Sequence, residues 1–93
     1  METGYELIEK EQIKELKFPA EDVLRYPEDR NQRYADLARA LSLGNLEHGK
    51  IRIYFEDNAS KKVVETTVWG LTDHRVILKQ GNSIPINRII KSS

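Results

Sequence analysis

The stretch Gly49-Lys50-Ile51-Arg52-Ile53-Tyr54-Phe55-Glu56-Asp57, carried on to Gly81-Asn82-Ser83-Ile84-Pro85-Ile86-Asn87-Arg88-Ile89-Ile90, decides the fold. Ile51, Ile53 and Phe55 share one parity and Lys50, Arg52, Tyr54 and Glu56 the other, the period of a half-buried strand. Asp57-Asn58-Ala59-Ser60 follows as a hairpin turn, rich in side chains that bond their own backbone. A second strand runs from Lys61 to about Leu71, but its alternation blurs: Val63, Trp69 and Leu71 lie on one parity, Val64, Thr66 and Val68 on the other. A strand that changes its buried face carries a bulge or bend, here expected near Gly70 with Trp69 as a core anchor. After the turn Thr72-Asp73-His74, Arg75 to Gln80 reads as a third strand, Ser83 to Ile86 as a fourth, and Asn87 to Ile90 as a fifth strand or a 3₁₀ turn into one. Pro85 has no N–H for a ladder, so its strand belongs at an edge or with that position facing away from pairing. The expectation is a small, strongly bent, five-stranded antiparallel β-barrel over residues 47–91.

Upstream the period is 3.6. Tyr34, Leu37, Ala38 and Leu41 form one apolar stripe from i to i+7, with Arg33, Asp36, Arg39 and Ala40 off it. That predicts a helix from Asp29 to Leu43, started by an Asp29–Gln32 capping box below Pro27 and ended at Gly44-Asn45, lying across the barrel or capping one open end. A short helix is expected at Lys10 to Lys17, stopped by Pro19, and a single helical turn at Ala20 to Arg25. The fold class is therefore α+β in a single domain of residues 1–93, with a helical segment over 1–46 before the barrel.

Composition narrows the class of function. Ninety-three residues bury only roughly 60 to 65% of the unfolded surface, so the core is modest. With no cysteine, disulfides, thiolate metal sites and cysteine nucleophiles are excluded. No apolar run approaches the ~20 residues of a membrane span, and the acidic start at Glu2, Glu6 and Glu9 is unlike a signal peptide, so cytoplasmic residence without membrane contact is expected. The net charge is zero, yet residues 1–46 carry 7 Lys/Arg against 10 Asp/Glu and residues 47–93 carry 8 against 5, halves of −3 and +3. A basic surface on the second half could attract an anion; the same offset also arises when acidic helices fold over a basic barrel.

Gly49 to Asp57, Val68-Trp69-Gly70-Leu71-Thr72-Asp73, Val76-Ile77-Leu78-Lys79 and Ile84-Pro85-Ile86-Asn87-Arg88-Ile89 together resemble the strand order of Sm-like barrels, a likeness covering Asp29 to Ile90 and shared with SH3-like barrels. The chain as a whole is also similar to a family of small uncharacterised Bacteroidetes proteins, through Phe18 to Arg30 and Val63 to Gly70, which implies no activity. The Sm resemblance implies RNA binding through an Asp and Asn in one loop and a basic residue with glycine in another. Here the first loop is hard to place, and Asn87-Arg88 is followed by Ile89 where glycine would stand, so only Asn87 and Arg88 match the nucleotide-contacting positions.

Catalytic signals are sparse. His48 and His74 each lie beside a strand boundary, and neither Asp73-His74 nor Glu47-His48 belongs to a cluster that would hold a metal or a substrate proton. No phosphate loop or nucleophile elbow is present. The residues point to a non-enzymatic module without cofactor or metal, acting through a protein partner or self-association at an exposed strand edge. The alternative is RNA or single-stranded nucleic acid bound by Lys50, Arg52, Tyr54, Arg75, Lys79, Asn87 and Arg88, in which Tyr54 stacks a base. Against it, Tyr54 could pack under the helix and Arg52 could pair with Glu65 across the hairpin.

Overall fold

A computed structural model describes residues 4–93 as an α+β protein with one long helix and seven strands. In chain order these are β1 (Glu6–Ile8), α1 (Pro27–Glu47), β2 (Ile51–Glu56), β3 (Lys61–Thr66), β4 (Val68–Leu71), β5 (Arg75–Leu78), β6 (Ser83–Pro85) and β7 (Ile89–Ser92). The strands form two hydrogen-bonded sheets, β1-β3-β2-β7 and β4-β5-β6, and not one closed ring. The count exceeds the expected five for two reasons. β1 adds a short parallel edge beside β3, and the long second strand is divided at Thr67 into β3 in one sheet and β4 in the other.

That division is the expected bend, displaced a few residues toward the N-terminus. Val68 faces Leu78 while Gly70 faces Ile77, so Trp69 is the extra residue of a bulge. Trp69 is therefore 53% exposed and not a core anchor. The bend turns Val68 inward, and the two sheets together close over Ile53, Phe55, Val64, Val76, Leu78 and Ile84, all without exposed surface except Val68 at 1%. At the hairpin, Asp57 Oδ1 accepts the N–H groups of Ala59 and Ser60 at 3.1 and 2.9 Å, as its turn chemistry requires.

Helix α1 differs from its sequence reading at both ends and in its face. Pro27 occupies the first turn, where its missing N–H costs nothing, so the helix begins before Asp29, and Gln32 Nε2 donates along the helix to Asp36 in place of a capping box. Gly44 and Asn45 continue the helix, and His48, at φ 53°, ends it with its N–H on the Gly44 carbonyl. Gly44 is needed inside because a Cβ there would lie 2.5 Å from the Val68 carbonyl oxygen. This close approach turns the helix so that Arg33, Leu37, Ala40 and Gly44 are buried, while Tyr34 and Ala38 face out. The helix packs on β4 and β7, one strand from each sheet, and so covers the β4 edge.

The N-terminal segment also departs from expectation. Lys10–Glu15 is a 3₁₀ helix that buries Ile13, not an α-helix to Lys17, and residues 20–25 form no helical turn. They lie across the end of the sheets, held by the contacts described next. No helix among the described residues is long and apolar enough to cross a membrane.

Candidate functional site

The seven residues singled out as nucleic-acid contacts have separate environments. Asn87 and Arg88 hold the chain together: Asn87 Nδ2 donates to the Ala20 carbonyl at 2.6 Å, and the Asn87 carbonyl accepts from Val23 N–H at 2.9 Å. Arg88 is 7% exposed and donates through Nε to the Glu56 carbonyl and through Nη1 to the Glu21 carbonyl, at 3.0 and 2.8 Å. Tyr54 is 5% exposed, with the Tyr5 ring edge-on at 4.9 Å and the Lys91 ammonium 4.8 Å from its centroid, so its face is covered. Arg52 pairs with Glu65 at 3.6 Å across the β2–β3 hairpin. Arg75 donates through Nε to Ser83 Oγ at 2.8 Å on the outer face of its sheet.

Lys50 and Lys79, distant in sequence, border the same cavity. It has a volume of about 240 Å³, lies beside the bend between β3 and β4, and is also bordered by Lys10, Glu65, Thr66 and Thr67.

A further cation was not singled out by its sequence. Arg33, 6% exposed, forms a two-pronged ion pair with Asp22 (Nη1 to Oδ1 2.9 Å, Nη2 to Oδ2 2.8 Å), and Nη1 also donates to the Ile89 carbonyl at 3.0 Å. Its Nε–H has no hydrogen-bond partner among the described residues. Burial alone would raise the Asp22 pKa, but the hydrogen bonds from Arg33 and Leu24 N–H and the charges of Arg33 and Arg30 outweigh it and hold the carboxyl below its usual range. Arg33 falls off the apolar stripe, and nothing in its neighbourhood in sequence marks it as buried.

The open strand edge is β6. Ile86 N–H donates to the His74 carbonyl and Leu78 N–H to the Asn82 carbonyl, so Ile84 is the hydrogen-bonded partner of Val76. By antiparallel alternation the main-chain groups of Ser83 and Pro85 then point away from β5. Pro85 thus occupies a position where no ladder N–H is needed, at an edge, as its sequence required. Along this edge lie two grooves that share Arg75. One, of about 280 Å³, is bordered by Lys14, Leu16, Phe18 and Ser83, and the other, of about 540 Å³, by Ala20, Asp22, His74, Pro85 and Asn87.

Both histidines are exposed. His48 is the helix C-cap, and His74 lines the larger groove beside Asp73 with no carboxylate paired to it among the described residues. No group of three or more His, Cys, Asp or Glu side chains among the described residues could hold a metal ion. No known protein family, curated protein or solved structure matches this chain.

Proposed function

We propose that this chain is a non-catalytic binding module that works through the free edge of β6, and that the first occupant of that edge is a second copy of the chain. The observation that carries this reading is the outward pair of Ser83 N–H and Ser83 C=O beside two open grooves, a template for an added strand. The charge pattern favours a like partner. The molecule has zero net charge, the β6 edge is flanked by Arg75 and Lys14, and the free edge of β1 is flanked by Glu6 and Glu9, so one copy's basic edge complements another's acidic one. In this reading the two sheets, joined by the bent β3–β4 strand and bridged by α1, act as the halves of a small Sm-like or SH3-like barrel.

Light scattering at micromolar concentration tests it. Wild type is expected to associate, Ser83→Pro, which removes the outward N–H, to be monomeric, and Ser83→Ala, which removes only the hydroxyl, to behave as wild type. A monomeric wild type, or association unchanged in Ser83→Pro, overturns the proposal. Single-stranded nucleic acid is the second reading, favoured by the shared cavity of Lys50 and Lys79. It predicts oligonucleotide binding that weakens steeply with salt.

A further inference from the structure

The bend between β3 and β4 gathers one lysine from each of three chain segments. Lys10 follows the end of β1, Lys50 precedes β2, and Lys79 follows β5, and all three border the cavity of about 240 Å³ at Thr66 and Thr67. The topology places them there. β1 and β2 both run alongside β3, so extending those ladders beyond Ile8 and Ile51 brings Lys10 and Lys50 beside Thr66 and Thr67. On the other side, Lys79 N–H donates to the Thr67 carbonyl at 3.0 Å, which ties the third lysine's backbone to the same corner.

Neither Lys50 nor Lys79 has a carboxylate within 4.0 Å among the described residues, whereas Lys62, on the same strand as the bend, is paired with Asp57 at 3.0 Å. Lys10 contacts Glu11 at 3.2 Å. Two carboxylates also border the cavity, Glu9 and Glu65, and Glu65 is turned to Arg52 on the outer face. The two threonines are nearly fully buried. The Thr66 hydroxyl makes one long contact, 3.4 Å to the Thr67 carbonyl, and the Thr67 hydroxyl has no hydrogen bond among the described residues. Two lysines without an ion-pair partner and a threonine hydroxyl without a hydrogen bond, all from residues that border one cavity, are the complement of a compact oxyanion.

We propose that this corner is a phosphate-binding site, in which Lys50 and Lys79 supply the charge, Lys10 closes the third side, and the Thr67 hydroxyl donates to a phosphate oxygen. The site is independent of the β6 edge. The ligand is a phosphate group, carried either by a small molecule as a terminal phosphate or by a single-stranded nucleic acid as a backbone phosphodiester.

Inorganic phosphate titrated into the full chain at low salt, followed by amide chemical shifts, tests the site. Saturable shifts are expected at Lys10, Lys50, Thr67 and Lys79. The double variant Lys50→Gln/Lys79→Gln is expected to weaken binding about tenfold, and Lys17→Gln/Lys61→Gln, which removes two exposed lysines outside the cavity, to leave it unchanged. Thermal melts of both variants check that each is folded. Shifts that never saturate, or equal losses in the two double variants, overturn the proposal. Competition then separates the sources. AMP that displaces phosphate while oligothymidylate does not assigns a terminal phosphate, and stronger displacement by oligothymidylate assigns a backbone phosphate.

Discussion

Two cationic regions on the second half of this chain look alike in sequence and differ in what surrounds them. Arg88, with Arg33 brought to it by the helix, faces main-chain carbonyls and Asp22 at distances of 2.8 to 3.0 Å, and is buried. Lys50 and Lys79 border a cavity, and neither has a carboxylate within 4.0 Å among the described residues. A guanidinium has five donors in a fixed fork and can satisfy several carbonyls at once, which suits it to clamping irregular chain. An ammonium on a flexible stem stays hydrated at the rim. The first region is architecture, and the second is available to a ligand.

The sharpest way to break that distinction is Arg33→Ala. It leaves Asp22 with only the more exposed Arg30, at 3.3 Å, and takes a donor from the Ile89 carbonyl, and removal of one member of a buried pair costs about 3 to 5 kcal/mol. Urea unfolding should show a loss in this range, and a change below about 1 kcal/mol would place Arg33 with the ordinary surface cations.

Gly44→Ala comes next. Alanine gains about 1 kcal/mol of helix propensity, but its Cβ meets the Val68 backbone at 2.5 Å, and a backbone carbonyl on a paired strand cannot yield cheaply. A net loss of about 1 to 3 kcal/mol is expected, measured by the same unfolding.

Asp57→Asn probes a second buried pair, that with Lys62. Burial pushes the Asp57 carboxyl up, but the N–H groups of Ser60 and Ala59 and the Lys62 ammonium hold it below its usual value. A lowered folded pKa means that the stabilisation is complete above the unfolded value of about 3.9 and is lost as pH falls below it. Wild type should therefore lose stability below about pH 4, Asp22 and Asp57 both contributing. Asp57→Asn should cost about 1 to 3 kcal/mol at neutral pH and flatten that acid limb. Melts across pH 3 to 7 would show it, and an acid limb as steep as that of wild type would remove Asp57 from the account.

The smallest effect is expected where the ligand site is proposed. Lys50→Gln and Lys79→Gln should each change stability by less than about 0.5 kcal/mol, because neither ammonium has a partner to lose. A larger loss would make the corner architectural as well.

Residues with local consequences were legible before the fold. The hairpin at Asp57, the edge position of Pro85 and the bend in the second strand all follow from what one side chain or ring permits its own backbone, and of the two readings left open for Asn87 to Ile90 the structure takes the second, a 3₁₀ turn (Ile86–Arg88) into the last strand. Arg52 and Glu65 do pair across the hairpin, because register is set by a turn only a few residues away. The helix face was misread for a contrasting reason. Tyr34 and Ala38 complete an ideal stripe, but the helix turns toward the face where Gly44 lets it approach Val68.

By itself the sequence determined the α+β class, the positions of the β2–β3 hairpin, β5 and β6, and the absence of thiol chemistry, since these depend on periodicity, turn residues and composition. Only the tertiary structure decided which cations are spent on the chain and which are free for a ligand. A charged side chain's role depends on which carbonyls, carboxylates or open space lie within about 4 Å, and here those neighbours come from segments up to 67 residues away.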